Sequence, residues 1–113
     1  MAYFFRAEEI TFQDHPKFQG VQIAILVDST KNSQASVSML KIAPGVTIPI
    51  HTHDPQIDSI FVLEGEGEAF INGQWEKIKA GDYIFIPAKE EHGVKNTGSK
   101  DLRLFVVHSP PLF

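Results

Sequence analysis

Apolar residues almost never recur at three-and-four spacing in this chain. Wherever such a run begins, a glycine, a proline or a β-branched cluster interrupts it. Short runs of alternating apolar and polar residues recur instead, separated by turn residues. Strands are predicted at 3–6, 21–27, 36–42, 48–51, 58–63, 68–71, 75–78, 83–86, 93–95 and 102–108. Asn72-Gly73, between Ala69-Phe70-Ile71 and Gln74-Trp75-Glu76, predicts a two-residue hairpin turn of type I′, which needs positive φ at both centres. Ala43-Pro44-Gly45, Asp54-Pro55, Ala80-Gly81-Asp82, Pro87-Ala88 and Thr97-Gly98 mark further turns. Strands this short and this closely spaced predict an all-β domain, either a sandwich or a small barrel.

Two runs break the alternation. Ile60-Phe61-Val62-Leu63 and Tyr83-Ile84-Phe85-Ile86 are apolar on both faces, which predicts cover on both sides. One face can look into the barrel. With almost no helix to cover the other, a second subunit is the natural candidate, and a homodimer is expected. The aromatic N-terminal arm and the Pro110-Pro111-Leu112-Phe113 tail are alternative covers.

Composition narrows the function classes. The 113 residues suit one domain with one core, and no repeat, low-complexity tract or linker divides them. A net charge of −4, with only Arg6 and Arg103 as arginines, argues against a nucleic-acid partner. No apolar run is long enough for a membrane helix. The start, with Glu8 and Glu9 close behind Tyr3-Phe4-Phe5, does not resemble a secretory signal, so a cytoplasmic location is expected. Without cysteine, any metal must be held by histidine, carboxylate or amide. Five histidines are available.

His51 and His53, at positions i and i+2 of a predicted strand, share one face and can reach one ion. After Asp54-Pro55 resets the register, Asp58 has the parity of Ile60 and Val62, placing a carboxylate in an apolar pocket lined by those two residues. Such a group is costly unless paired or metal-bound. Gln56 shares that parity and offers an amide oxygen as an alternative ligand. His92 opens a later strand as a third imidazole. Histidine with carboxylate suits a divalent transition metal, whether Fe, Mn, Ni, Zn or Cu. His108 has the parity of Leu102, Leu104 and Val106 and is expected to face inward near the rim, whereas Arg103 points outward.

Residues 45–65, from Gly45 through His51, His53 and Asp58 to Gly65, resemble the first signature of the cupin superfamily, Gly-x5-His-x-His-x4-Glu-x6-Gly. Residues 81–96, with Gly81, Pro87, His92 and Asn96, resemble the second, Gly-x5-Pro-x-Gly-x2-His-x3-Asn. Two positions depart. Asp58 replaces the usual Glu and is one methylene shorter, so it binds less directly, binds through water, or leaves Gln56 to substitute. Lys89 replaces the usual Gly, which implies a turn with no need of positive φ. The resemblance implies a single jelly-roll cupin domain over residues 1–113, usually dimeric, with a metal held by His51, His53 and His92 and Asp58 as fourth ligand. Pro87 and Asn96 are expected to fix loop geometry.

A barrel mouth walled by apolar residues suits a small organic ligand that reaches the metal through oxygen. Open coordination positions are the mark of a catalytic site. The expected function is that of a metalloenzyme on a small organic substrate, a dioxygenase-type oxidoreductase first. An isomerase or lyase acting on a sugar acid, or a non-catalytic ligand-binding cupin, are the alternatives. Tyr83, Glu64 and His108 are the candidate acid–base groups.

Overall fold

A computed structural model describes all residues, Met1–Phe113. After one turn of 3₁₀ helix at Ala7–Glu9, the chain forms ten strands. They are β1 (Gln13–Asp14), β2 (Val21–Val27), β3 (Ser36–Ile42), β4 (Thr47–His51), β5 (Ile57–Glu64), β6 (Glu66–Ile71), β7 (Gln74–Lys79), β8 (Tyr83–Ile86), β9 (His92–Lys95) and β10 (Leu102–Ser109). The strand predicted at 3–6 does not form; the aromatic residues there find no partner strand, and Tyr3 and Phe4 are exposed. The two-residue β1 pairs with β2 and was not anticipated.

All pairings are antiparallel, in a six-stranded sheet of order β1-β2-β3-β10-β5-β8 and a four-stranded sheet of order β4-β9-β6-β7. This all-β jelly roll is the expected architecture. Each sheet turns one face inward, because side chains alternate along a strand. On β10 the alternation is complete: Leu102, Leu104, Val106 and His108 are buried, and their neighbours only partly so. Ile42, Val62, Leu102 and Leu104 from the larger sheet meet Ile48, Ala69, Ile78 and Val94 from the smaller in one core.

Asn72 (φ 52°) and Gly73 (φ 80°) form the turn joining β6 to β7, as the dipeptide predicts. Lys89 corrects the sequence reading: it has φ 72°, so the turn does take the left-handed conformation despite lacking glycine. Its N–H donates to the His53 carbonyl at 2.7 Å, tying the turn before β9 to the segment after β4.

On the outer face of β5 and β8, neither the N-terminal arm nor the C-terminal tail supplies the cover suggested as an alternative to a second subunit. Phe61 (41% exposed), Tyr83 (56%) and Phe85 (55%) face solvent, so nothing within the chain covers this face. The C-terminal tail turns instead to the barrel mouth, where Leu112 N–H donates to Ser36 Oγ and Ser29 N–H to the Phe113 carbonyl. No helix is long and apolar enough to cross a membrane.

Candidate metal centre

A cavity of about 460 Å³ opens between the sheets. Its apolar wall includes Phe18, Ile23, Leu40, Ile60, Leu104 and Phe113, and all five histidines reach it. Ile60 lies on the wall as expected. Val62, two residues further along β5, is fully buried in the core below and takes no part in the wall.

Strand pairing builds the polar end. In the smaller sheet His51 on β4 lies opposite His92 on β9. Gly93 permits this: a Cβ there would stand 3.0 Å from the Ile48 carbonyl oxygen and 3.2 Å from the Ile50 nitrogen, so the two strands run close. In the larger sheet Asp58 on β5 lies opposite His108 on β10. His53, just past β4, completes the group, with its ring centroid 4.8 Å from that of His51, 5.1 Å from His92 and 5.0 Å from His108.

Asp58 Oδ2 is the common point. It lies 3.2 Å from His92 Nε2, 3.3 Å from His108 Nε2 and 3.8 Å from His53 Nε2. The carboxylate is 4% exposed, and its second oxygen, Oδ1, is buried with no hydrogen-bond partner. His108 Nδ1 is likewise buried and unpartnered, and His92 Nε2 touches Asp58 without the alignment of a hydrogen bond. Unsatisfied polar atoms of this kind are rare in folded proteins and call for a ligand or ion.

The outer shell fits a cation as well. His51 Nδ1 lies 2.7 Å from the Pro49 carbonyl, and His92 Nδ1 lies 3.1 Å from that of Glu90. A carbonyl can only accept, so both Nδ1 atoms carry a proton, which leaves Nε2 as the atom that can give a lone pair to an ion. Nitrogen and carboxylate donors without thiolate suit a first-row transition metal.

The electrostatics favour a negatively charged floor. Burial would raise the Asp58 pKa, but the contacts with His108 and His92 outweigh it and hold the group below the usual carboxylate range. Burial, reinforced by neighbouring His108 and His51, lowers His53 to about 4. His51 is also lowered by burial. In His92 the burial effect is overcome by Asp58 and the Glu90 carbonyl, and its pKa rises.

Other candidate residues lie elsewhere. Gln56 Nε2 donates to the Pro111 carbonyl at 3.2 Å and stays off the cavity wall, so the amide braces the tail and is not among the clustered donors. Tyr83 and Glu64 are exposed on the outside, Tyr83 against Ser59 Oγ and Glu64 within 3.6 Å of Arg103. His15 reaches the rim, where Nδ1 accepts the N–H groups of Lys17 and Phe18, so it holds a turn together. Asn96 is buried, donating to the Ile42 and Lys100 carbonyls and accepting from Gly98 N–H, a loop-fixing role. The residue that motif spacing alone leaves out is His108. Its inward parity on β10 was the signal.

Known proteins resemble this chain in sequence and fold. An "Oxalate-binding protein" of Thermotoga maritima is 32% identical over 108 residues, covering 90% of this chain and 89% of that one. A "5-nitrosalicylic acid 1,2-dioxygenase" of a Bradyrhizobium species is 32% identical over 71 residues, 63% of this chain but only 34% of the relative. Among solved structures, a "predicted oxalate decarboxylase" from Thermotoga maritima superposes with a TM-score of 0.85 at 30% identity, covering 96% of this chain and 99% of that one. Residues 38–108, from the middle of β3 to the end of the cluster on β10, match the sequence profile of the cupin domain, and the chain belongs to the cupin family.

Proposed function

We propose that this cupin is a metal-dependent enzyme acting on a small, largely apolar organic substrate, with dioxygenase-type oxidation the favoured reaction. The observation that carries the reading is a pair of donor triads sharing His53, His51-His53-His92 and His53-Asp58-His108, at the end of a cavity whose remaining wall is mostly apolar. His51, His53 and His92 would hold the ion, with Asp58 beside them. A redox-active ion in that place supplies dioxygen activation, and a redox-inert one supplies Lewis acidity. The chain's own part is to orient and shield. Phe18, Leu40, Ile60 and Leu104 present no polar group to compete for the substrate's oxygens, and they keep its carbon skeleton out of water. Lys17 is the one lysine on the wall and no arginine joins it, so a polyanionic ligand would depend on the ion for its charge partner.

A second reading, non-catalytic binding of a small dicarboxylate, is favoured by the relative named for oxalate binding, which matches nearly the whole chain. Both readings are tested on protein purified without chelator. Elemental analysis should find about one transition metal per chain, and His51→Ala should lose it. Oxygen uptake by iron-loaded protein with a panel of thiols, diketones and catechols then supports the enzyme. A flat response to every substrate, with calorimetric binding of oxalate by the loaded protein, favours the binding module. No metal in the parent and no effect of His51→Ala would sink both. The exposed Phe61, Tyr83 and Phe85 support packing of a second copy of the chain on that face, giving a homodimer.

A further inference from the structure

His108 lies outside both signature motifs, yet it stands to Asp58 as the motif residue His92 does. Its Nε2 is 3.3 Å from Asp58 Oδ2, against 3.2 Å for His92 Nε2. Bonds of about 2.0–2.2 Å from one ion to nitrogen and oxygen place adjacent donors roughly 3.0–3.4 Å apart. Both separations fall in that range. His108 is also delivered from a paired strand, as His51 and His92 are. It is the direct cross-strand partner of Asp58 in the larger sheet, as His51 is of His92 in the smaller one. The side chain is 7% exposed and turns into the cavity, and its ring lies 5.0 Å from that of His53. His53, Asp58 and His108 together bring one donor atom each within 4.8 Å of one another.

Its hydrogen bonding leaves it available. The Nδ1 atoms of His51 and His92 are committed to backbone carbonyls, but His108 Nδ1 has no partner. Without an ion Nε2 can share a proton with Asp58, and the free Nδ1 can carry that proton when Nε2 binds a metal. Resting on the metal reading above, we propose that His108 is itself a metal ligand through Nε2, so that the ion is held by His51, His53, Asp58, His92 and His108. In a six-coordinate ion, five protein donors leave one position, so an incoming ligand binds through a single atom.

The test uses cobalt(II) as probe, titrated into chelator-stripped full-length protein and followed by its visible spectrum and by competition with a chromophoric chelator. The parent should bind one equivalent. His108→Ala should bind at least about 100-fold more weakly, at or beyond the upper end of the 10–100-fold loss seen when an outer-shell partner is removed, with a changed spectrum. Added imidazole should restore the parent spectrum. His108→Gln keeps a neutral N–H donor toward Asp58 but supplies no ring nitrogen; it should leave the spectrum altered, and it carries the comparison alone if His108→Ala does not fold. A parent-like spectrum in His108→Gln, or in His108→Ala without imidazole, would assign His108 to positioning Asp58 and overturn the proposal. A parent that binds no cobalt overturns the metal reading itself, which is a distinguishable result.

Discussion

Replacing Lys89 by glycine should stabilise the protein. Lys89 holds φ 72°, a conformation that costs an L-residue with a β-carbon roughly 1–2 kcal/mol. Its side chain is exposed. Its hydrogen bond from N–H to the His53 carbonyl, at 2.7 Å, belongs to the backbone and survives any substitution except proline. Glycine relieves the strain but loosens the unfolded chain, at a cost of roughly 0.5–1 kcal/mol. The net gain is therefore about 0.5–1 kcal/mol. For a domain of this size that corresponds to an increase in Tm of about 2–5 °C. Thermal unfolding followed by circular dichroism, in the presence of a chelator, measures it. Lys89→Ala is the control: it removes the charge but keeps the β-carbon, and its Tm should stay near the parent's. A Lys89→Gly variant less stable than Lys89→Ala would refute the reasoning, because the left-handed turn would then not be the source of strain.

Asn96→Ala should cost about 2–4 kcal/mol, since it orphans the Ile42 and Lys100 carbonyls and Gly98 N–H; urea denaturation with an unchanged midpoint would contradict this. In chelator-stripped protein, stability should be greatest near pH 6.5. As pH falls from 6.5 toward 4, the unfolded chain takes up a proton on His53 that the folded chain refuses, so stability drops. His51 acts in the same sense, and below about pH 4 the lowered Asp58 adds its own loss. Above pH 6.5, the contribution of the raised His92 fades as it deprotonates. A urea midpoint that rises steadily as pH falls from 6.5 to 4 would refute the assignment. Sedimentation should give a dimer, and Phe85→Glu on the exposed β8 face should dissociate it. A parent species near 12.6 kDa at micromolar concentration would reject the interface.

The strands were legible because alternation and turn chemistry are local. Asn72-Gly73 and the alternating Leu102–His108 run carry their structure in their own residues. The 3–6 segment shows the limit: Tyr3-Phe4-Phe5 has strand composition, but a strand needs a neighbour, and the fold supplies none. Lys89 shows another. Absence of glycine argues against positive φ, yet a tertiary hydrogen bond to His53 accompanies that conformation in a lysine. At the site, spacing singled out His51, His53, Asp58 and His92, and the fold brings them together. Parity placed Ile60 and Val62 on one face but could not tell how far along β5 the cavity ends and the core begins. The same parity brought His108 inward, but only strand order, β10 beside β5, reveals that its neighbour is Asp58.

The two cross-strand pairs have a mechanical meaning. With donors drawn from both sheets, a bound ion is a clip between two layers otherwise joined by apolar packing and connecting loops. With His108 as the proposed fifth ligand, it would also close the chain from residue 51 to residue 108 into one loop. Unlike a disulfide, the clip acts on the folded chain alone, in a protein that has no cysteine to form a covalent one. Occupancy then sets the melting point. Free metal at a thousand times its Kd adds about 4 kcal/mol to the folded state. Two preparations of this protein that differ only in exposure to chelator should therefore melt at different temperatures.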